Sequence, residues 1–407
     1  MPKVLGIVAE YNPFHNGHMY HIQNAKEQAK ADYVVAVMTG NFTQRGGTSI
    51  INKWEKTKMA ISNGVDLVIE LPTLYSISSA ENFASGAIKI LDEIGIVTHI
   101  SFGMEAKDLA ALNNIANVIY NEPIEYKRML KLELNNGVSY PKAREIALTN
   151  YLATEHKYDG IIGEPNNILA VEYLKAMKIQ KSQLIPIGIR REKVFYNSTK
   201  IVDEYASSTG IRHLLLNNNI EEIARVIPSS SFNVLLNNIK NGTYTLDLSQ
   251  YSLEIIYKLR TMSIYEIRNL PEVSEGLENS IKDKAEQTNN LIELINNIKS
   301  KRYTQTRIQR IMVYALLGIT KKDMEMSKKI TPYVRILGCS QEGKKMLSEI
   351  NWKSKVITSV KKFEDSNYNK NYKRMLEIDK RASDIYTMGY RANSKCNLDY
   401  TTGIIVL

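Results

Sequence analysis

Five short apolar runs punctuate the first half of this chain, and stretches of helical period fall between them. The runs are Val4–Ala9 and residues 33–38, 66–71, 99–102 and 184–189. They are rich in Val and Ile and lack polar alternation. A strand with one face in water alternates; one that does not alternate is covered on both faces. The intervening stretches at 18–31, 53–63, 80–94 and 168–177 place their apolar residues three and four apart. Parallel strands need a crossover, and a helix supplies it. The pattern predicts an α/β fold over residues 1–216, a Rossmann-like doubly wound parallel sheet. Such sheets bind ligands at the carboxyl ends of their strands, where the strand order reverses.

The pattern changes after Asn217-Asn218-Asn219, which reads as a turn. Helical periods follow at 220–227, 232–240, 252–260, 276–300 and 304–317, with strand-like runs only at 355–360 and 403–407. This predicts a second, mainly α-helical domain over residues 217–407. Of a net charge of +10, the second segment holds +9, from 30 Lys and Arg against 21 Asp and Glu. A nearly neutral first half and a basic second half fit different partners, the second one anionic. Basic residues recur there beside tyrosines: Lys299, Lys301, Arg302, Tyr303, Arg307 and Arg310, then Lys370, Tyr372, Lys373 and Arg374. Any one of them is more often solvated surface than contact; as a group they fit phosphates and unpaired bases.

Cys339 and Cys396 are the two cysteines, too few and too distant for a disulfide framework or a zinc site. No basic-then-apolar leader opens the sequence, and no run approaches the roughly 20 apolar residues of a membrane span. These features predict a cytoplasmic protein that does not enter a membrane.

His15-Asn16-Gly17-His18 follows the first strand by five residues, at the start of a helical period. The first turn of a helix has unbonded N–H groups and the positive end of the dipole, which together bind phosphate. Gly17 lets a nucleotide lie against the backbone. Two imidazoles there can donate to phosphate oxygens as charge builds at the α-phosphorus. By residue usage the four-letter pattern arises by chance in roughly one chain in a hundred of this size, so its placement between strand and helix carries the argument. His15 and His18 are the candidate catalytic residues.

A second hydroxyl-rich element, Tyr205-Ala206-Ser207-Ser208-Thr209-Gly210-Ile211-Arg212, also precedes a helix. Alone it is an ordinary Ser/Thr cap. Beside the histidine motif it reads as a second phosphate loop, with Ser208, Thr209 and Arg212 as candidate catalytic residues. Gly103, the pair Asn166-Asn167, and Arg190-Arg191 each lie just past an apolar run, where a strand end faces the nucleotide. Each is equally compatible with loop chemistry. The loop Thr39-Gly40-Asn41-Phe42-Thr43-Gln44-Arg45-Gly46 follows the second strand and suits an acid or pyrophosphate, with Arg45 as its cation; by composition it reads equally as a flexible surface loop.

Taken together, these segments resemble the bacterial tRNA(Met) cytidine acetate ligase family, within the HIGH-motif nucleotidyltransferases. The resemblance rests on the run from Gly6 to His18, on Met38 to Gly46, on Asp66-Leu67-Val68-Ile69-Glu70-Leu71-Pro72, on Phe102-Gly103, on Pro165-Asn166-Asn167-Ile168-Leu169-Ala170 and on the Ser207 to Arg212 element. It spans essentially the whole chain. It implies an enzyme that makes acetyl-adenylate and pyrophosphate from acetate and ATP, then acetylates N4 of the wobble cytidine of elongator tRNA(Met). It places the ATP site on Ile7, Val8, Ala9, Glu10, Tyr11, Asn12, Pro13, Phe14, His15, Asn16, Gly17, His18, Met19 and Tyr20, with Gly103, Asn166, Arg190 and Arg191, and Mg²⁺ is expected with the ATP phosphates; the sequence itself shows no dedicated metal-ligand cluster. Relatives often carry Tyr-His after the arginine pair, where this chain has Tyr196-Asn197, so any role of that histidine is not carried over to this chain. Two other readings stay open at this level: a small-molecule adenylyltransferase of the same superfamily, and a non-catalytic RNA-binding protein on an old nucleotide fold.

Overall fold

In the computed structural model, the residues described are 2–152, 158, 161–190, 204–350, 352 and 355–407. The five expected strands are present as β1 (Val4–Ala9), β2 (Tyr33–Thr39), β3 (Leu67–Leu71), β4 (His99–Met104) and β5 (Ile185–Arg190). β1 lies in the middle, parallel to β2 on one side and to β4 on the other. Ile7 sits opposite Ala36 in one direction and Ser101 in the other. The chain builds outward from β1 through β2 to β3, then crosses back to lay β4 and β5 on the far side. The order therefore reverses between β1 and β4, and the crevice of a doubly wound sheet opens at their carboxyl ends.

Alternate residues of the strands feed two cores. Val35, Val37 and Ile69 pack with Phe83, Ala84, Ala87 and Leu91 of the helix Ala80–Ile94. Val34, Ala36 and Met38 pack with Ile22 and Ala25 of helix α1 (Asn16–Ala29) and with Met59 and Ala60 of helix α2 (Lys53–Ile61). The strands are apolar on both faces for that reason, as their lack of alternation requires.

The second segment is mainly helical, and it also returns to the sheet. β6 (Val334–Cys339) pairs antiparallel with β3, and β7 (Val356–Ile357) and β8 (Ile405–Val406) pair with β6. The runs at 355–360 and 403–407 thus contain strands; β6 was not among the expected elements. Its sequence, Val334-Arg335-Ile336-Leu337-Gly338-Cys339, carries an arginine in mid-strand that reads as a surface residue. Arg335 is buried instead, between Glu70 and Asp399. The apolar core continues from the sheet into the helices Ser252–Thr261, Leu277–Gln287, Leu291–Ile298 and Gln305–Leu317. The single helix expected over 276–300 is two: Asn290 caps a new start, accepting from the Ile292 and Glu293 N–H groups. Three helices at 109–151 were not among the expected elements, although Leu112, Ile115, Ala116 and Ile119 of the first have helical spacing, and the cysteines are both free, Cys339 buried and Cys396 exposed. Among the described residues no helix is long and apolar enough to cross a membrane.

Candidate nucleotide and acid activation site

β1 runs out at Ala9, and the chain turns through Glu10, Tyr11, Asn12, Pro13 and Phe14 into α1. Tyr11 takes a left-handed backbone, φ 44°, and the Asn12-Pro13 bond is cis. Asn12 pins the turn from both ends of its amide. Oδ1 accepts from the Ile50 N–H at 2.7 Å, and Nδ2 donates to the Thr48 carbonyl at 3.2 Å.

His15 is the N-cap of α1, with its Nδ1 accepting from the Gly17 N–H at 3.1 Å. His18, in the first turn, accepts in the same way from the His15 N–H at 3.2 Å. This is a capping box in which imidazoles replace the usual hydroxyl and carboxylate. Because Nδ1 accepts in both rings, Nε2 is the nitrogen that carries the proton. The rings stack with centroids 3.7 Å apart, and Tyr11 and Phe14 wall His18 at 5.0 and 5.5 Å. A Cβ on Gly17 would lie 3.0 Å from the His15 ring, so glycine lets that imidazole fold over the helix start. One turn further on, His21 Nε2 lies 2.8 Å from Ser101 Oγ and ties α1 to β4 at the point of reversal.

The hydroxyl-rich element lies against this start. Asn16 donates to the carbonyls of Glu204 and Arg225 at 2.9 and 3.1 Å. Ser207 is the N-cap of the helix Ser208–Leu216, accepting from the Gly210 N–H at 3.0 Å. Ser208 and Thr209 open that helix, Ser208 half-buried and Thr209 exposed. Arg212 donates to the Thr48 carbonyl at 3.2 Å, the same oxygen that Asn12 uses. The cap reading thus applies to Ser207, and Arg212 joins the turn after β1.

Gly103 and Arg190 end neighbouring strands, with Gly103 opposite Ile189 and Met104 opposite Arg190. Arg191 and Asn197 lie outside the described residues. The asparagine pair opens the helix Pro165–Gln180 and is clasped to the end of β4. Asn167 Oδ1 accepts from the Glu105 and Ala106 N–H groups at 2.9 and 3.1 Å, and its Nδ2 donates to the Ile161 carbonyl at 3.0 Å. In return Glu105 accepts from the Asn167 N–H at 3.0 Å and from Asn166 Nδ2. Both ends of the Asn167 amide are committed to backbone; Asn166 meets a side chain.

The loop after β2 folds back on itself through a bridge between Phe42 and Thr48. Gln44 fastens it on both sides, its N–H to Glu10 Oε1 and its Nε2 to the Ser78 carbonyl, each 2.7 Å. Gly46 has φ +77°, and a Cβ there would come within 2.5 Å of the Arg310 backbone nitrogen. Arg45 is half-buried within the loop.

Two buried lysines on α2, Lys53 and Lys56, were not anticipated from the sequence. Lys53 reaches both oxygens of Glu70, at 2.8 and 3.0 Å, and Asp399 Oδ1 at 2.8 Å. Arg335 completes this network, 2.6 Å from Asp399 and 3.1 Å from Glu70. Burial alone would raise the Asp399 carboxyl; Lys53 and Arg335 overcome it and hold the group well below the usual carboxylate range. Nothing in the local pattern of α2, which also carries Glu55 and Lys58, distinguishes them from surface lysines.

The basic cluster read from the sequence is largely engaged within the protein. Arg310 is buried against Glu272, Arg307 donates to the Glu272 carbonyl, Arg302 pairs with Glu275, and Arg374 with Asp323. Lys299, Lys301, Lys370 and Lys373 are exposed.

Comparison with known proteins bears on what this crevice holds. A model of the HIGH nucleotidyl transferase family matches residues 2–400. The tRNA(Met) cytidine acetate ligase of Acetivibrio thermocellus is 43% identical over 415 aligned positions, covering 100% of both chains. The protein of that name from Thermoanaerobacter sp. is 42% identical, over 99% of this chain and 100% of its own. The crystal structure of Thermotoga maritima TmcAL superposes with a TM-score of 0.93 at 31% identity, covering both chains in full. The same protein bound with alpha-thio ATP gives 0.92 at 31% identity, over 100% of this chain and 99% of that one.

Proposed function

This chain belongs to the HIGH nucleotidyl transferase family, among its tRNA(Met) cytidine acetate ligases, and we propose that it activates acetate with ATP and acetylates N4 of the wobble cytidine of elongator tRNA(Met). It is an ATP-dependent ligase acting on tRNA(Met), of Rossmann-like fold. The observation that carries the proposal is the pair His15 and His18 on the first turn of α1, at the reversal between β1 and β4.

In the first step an acetate oxygen attacks the α-phosphorus of ATP, the bond to the bridging oxygen breaks, and pyrophosphate leaves. The positive end of the α1 dipole and the Nε2 protons of His15 and His18 stabilise the charge that builds on the phosphates. Arg212 adds a cation beside that turn, with Ser208 and Thr209 at the neighbouring helix start. Residues 7–20, Gly103, Asn166, Arg190 and Arg191 line the nucleotide. Asn166 is preferred to Asn167, whose amide is already committed to backbone. The loop at residues 40–46 faces the acid. In the second step the cytosine N4 attacks the acetyl carbonyl, AMP leaves, and N4 loses a proton. Acetyl-adenylate is already activated, so positioning an extruded anticodon base beside it carries much of this step. Among the described residues no three His, Cys, Asp or Glu side chains stand together as a metal site. Mg²⁺ bound with the ATP phosphates would neutralise part of their charge. Activation belongs to residues 1–216 and tRNA binding to residues 217–407 in this proposal, and the enzyme works in the cytoplasm.

Acetate-dependent exchange of labelled pyrophosphate into ATP, without tRNA, tests it. Exchange is expected with tRNA absent. An adenylate that forms only once tRNA is added would overturn the assignment of activation to the first segment. Exchange that ignores acetate but follows another small substrate would turn the reading toward a small-molecule adenylyltransferase.

A further inference from the structure

We propose that Lys56 is a positioning residue for acetate activation, whose buried ammonium ties the end of β1 to the end of β2 and so holds the acid-facing loop against the nucleotide-binding turn. The proposal rests on the activation reading above and concerns a residue to which that reading gives no role.

Lys56 is fully buried on α2. Its Nζ donates to the carbonyls of Glu10 at 3.0 Å, Thr39 at 2.9 Å and Gly40 at 2.7 Å, and it lies 3.0 Å from Ser49 Oγ. Glu10 is the first residue after β1. Thr39 ends β2, and Gly40 opens the loop. An ammonium has three N–H donors, and here three carbonyls on two strand ends meet them. Ser49 closes the far side, donating to the Gly40 carbonyl at 3.3 Å.

Lys53, one turn earlier, shows what a purely structural lysine looks like in this protein. Its charge is neutralised by direct pairing with Glu70 and Asp399. Among the described residues, Lys56 makes no hydrogen bond to a carboxylate; its partners are carbonyls and hydroxyls. Burying a cation without a hydrogen-bonded carboxylate is costly, and backbone carbonyls offset only part of the cost. It sits beneath the crevice where the ATP phosphates and the acid meet, so its positive potential also falls there.

Burial lowers the Lys56 ammonium to about 7, opposed by Glu10 at the end of β1 and Glu70 on β3 and reinforced by Lys53 on α2. A neutral amine has two N–H groups and cannot serve three carbonyls. The clamp is therefore complete on the acid side of neutrality and loosens above it. Arginine, charged throughout, would not loosen.

The turn after β1 has its own anchors in Asn12 and the imidazole capping box, whereas the loop is tied to the end of β1 through Lys56 and Gln44, its remaining anchor to α2 being Asn41 Oδ1, which accepts from the Lys53 N–H at 2.8 Å. Loss of the clamp should accordingly fall on acetate and spare ATP. The experiment is acetate-dependent ATP–pyrophosphate exchange from pH 6 to 9, per titrated active site, with ATP affinity measured separately. For K56M, kcat/KM for acetate should fall by about 10²-fold, the scale of an ångström-sized misplacement, with ATP affinity retained. K56R should recover much of the activity and lose the wild-type decline above neutral pH. A wild type without acetate-dependent exchange overturns the activation reading and this proposal with it. An active wild type whose constants per site are matched by K56M, or whose pH profile is unchanged in K56R, overturns the proposal alone. If K56M does not fold, the K56R pH profile decides.

Discussion

Arg310 grips Glu272 with both arms of its guanidinium, Nε to Oε1 at 2.7 Å and a terminal nitrogen to Oε2 at 2.6 Å, and its backbone lies against Gly46 of the loop after β2. The arginine belongs to a run that reads in sequence as an RNA-binding face, yet it works inside the protein. Arg310→Gln should lower unfolding free energy by about 3 kcal/mol in urea titrations, because Glu272 keeps its charge and loses its partner. Arg302→Gln, whose pair with Glu275 is half in water, should cost under about 1 kcal/mol. Equal effects in the two variants would show that the Arg310 pair is not structural.

The tRNA face should then be sought on the lysines left exposed. Removing charge at Lys299, Lys301, Lys370 and Lys373 together should weaken tRNA binding. It should also flatten the salt dependence, by up to about one unit for each phosphate that is no longer neutralised. Pyrophosphate exchange should survive. Binding curves at several salt concentrations that superpose on the wild type would remove these lysines from the interface.

His15→Ala and His18→Ala should each reduce acetate-dependent exchange by about 10²-fold or more, the scale for one preorganised donor. Both also remove half of a capping box, at a cost of about 1 kcal/mol in stability. Exchange per folded molecule is therefore the quantity to compare. A folded His18→Ala protein with near wild-type exchange would sink the assignment.

Two buried carboxylates should bend the pH dependence of stability in opposite directions. Asp399 is held below the usual range, so its contribution is complete above its unfolded value of about 4 and is lost as pH falls through the lower folded value. Asp399→Asn should be less stable than wild type at pH 7, with the gap narrowing in acid. Asp379 is raised to about 6 by burial and by Glu70. The folded state keeps its proton longer, so stability declines as pH rises from about 4 to 6, and Asp379→Asn should remove that decline. Urea unfolding midpoints between pH 3 and 7 test both.

The sequence was most legible where one local rule decides the outcome. Val4–Ala9 and residues 33–38 read as doubly covered strands because neither face offers a polar residue. His15 and His18 were found because the motif sits between strand and helix, where the chemistry needs it. Arg310, Arg335 and Lys56 were illegible for a shared reason: long-range partners decide where a charged residue goes. Glu272, Asp399 and the Thr39 carbonyl are distant in sequence and leave no mark on the local pattern. β6 was hidden by the same effect, since Arg335 looks exposed until Glu70 and Asp399 are placed beside it. Asn166 and Asn167 were indistinguishable by composition; only the clasp on Glu105 separates them.

The network around Lys53 also sets a timetable. Lys53 and Asp399 are 346 residues apart in sequence. At ribosomal rates of about 5 to 20 residues per second, Asp399 is added on the order of 17 to 70 s after Lys53. Over that interval the crevice strands can assemble, but Lys53 and Glu70 lack Asp399 throughout and Arg335 for most of it, and β3 has an open edge until β6 is added. An open strand edge invites pairing with other chains. A nascent chain of this protein therefore carries an incomplete sheet until Val334–Cys339 emerges, and a Lys53 network that waits longer still, for Asp399.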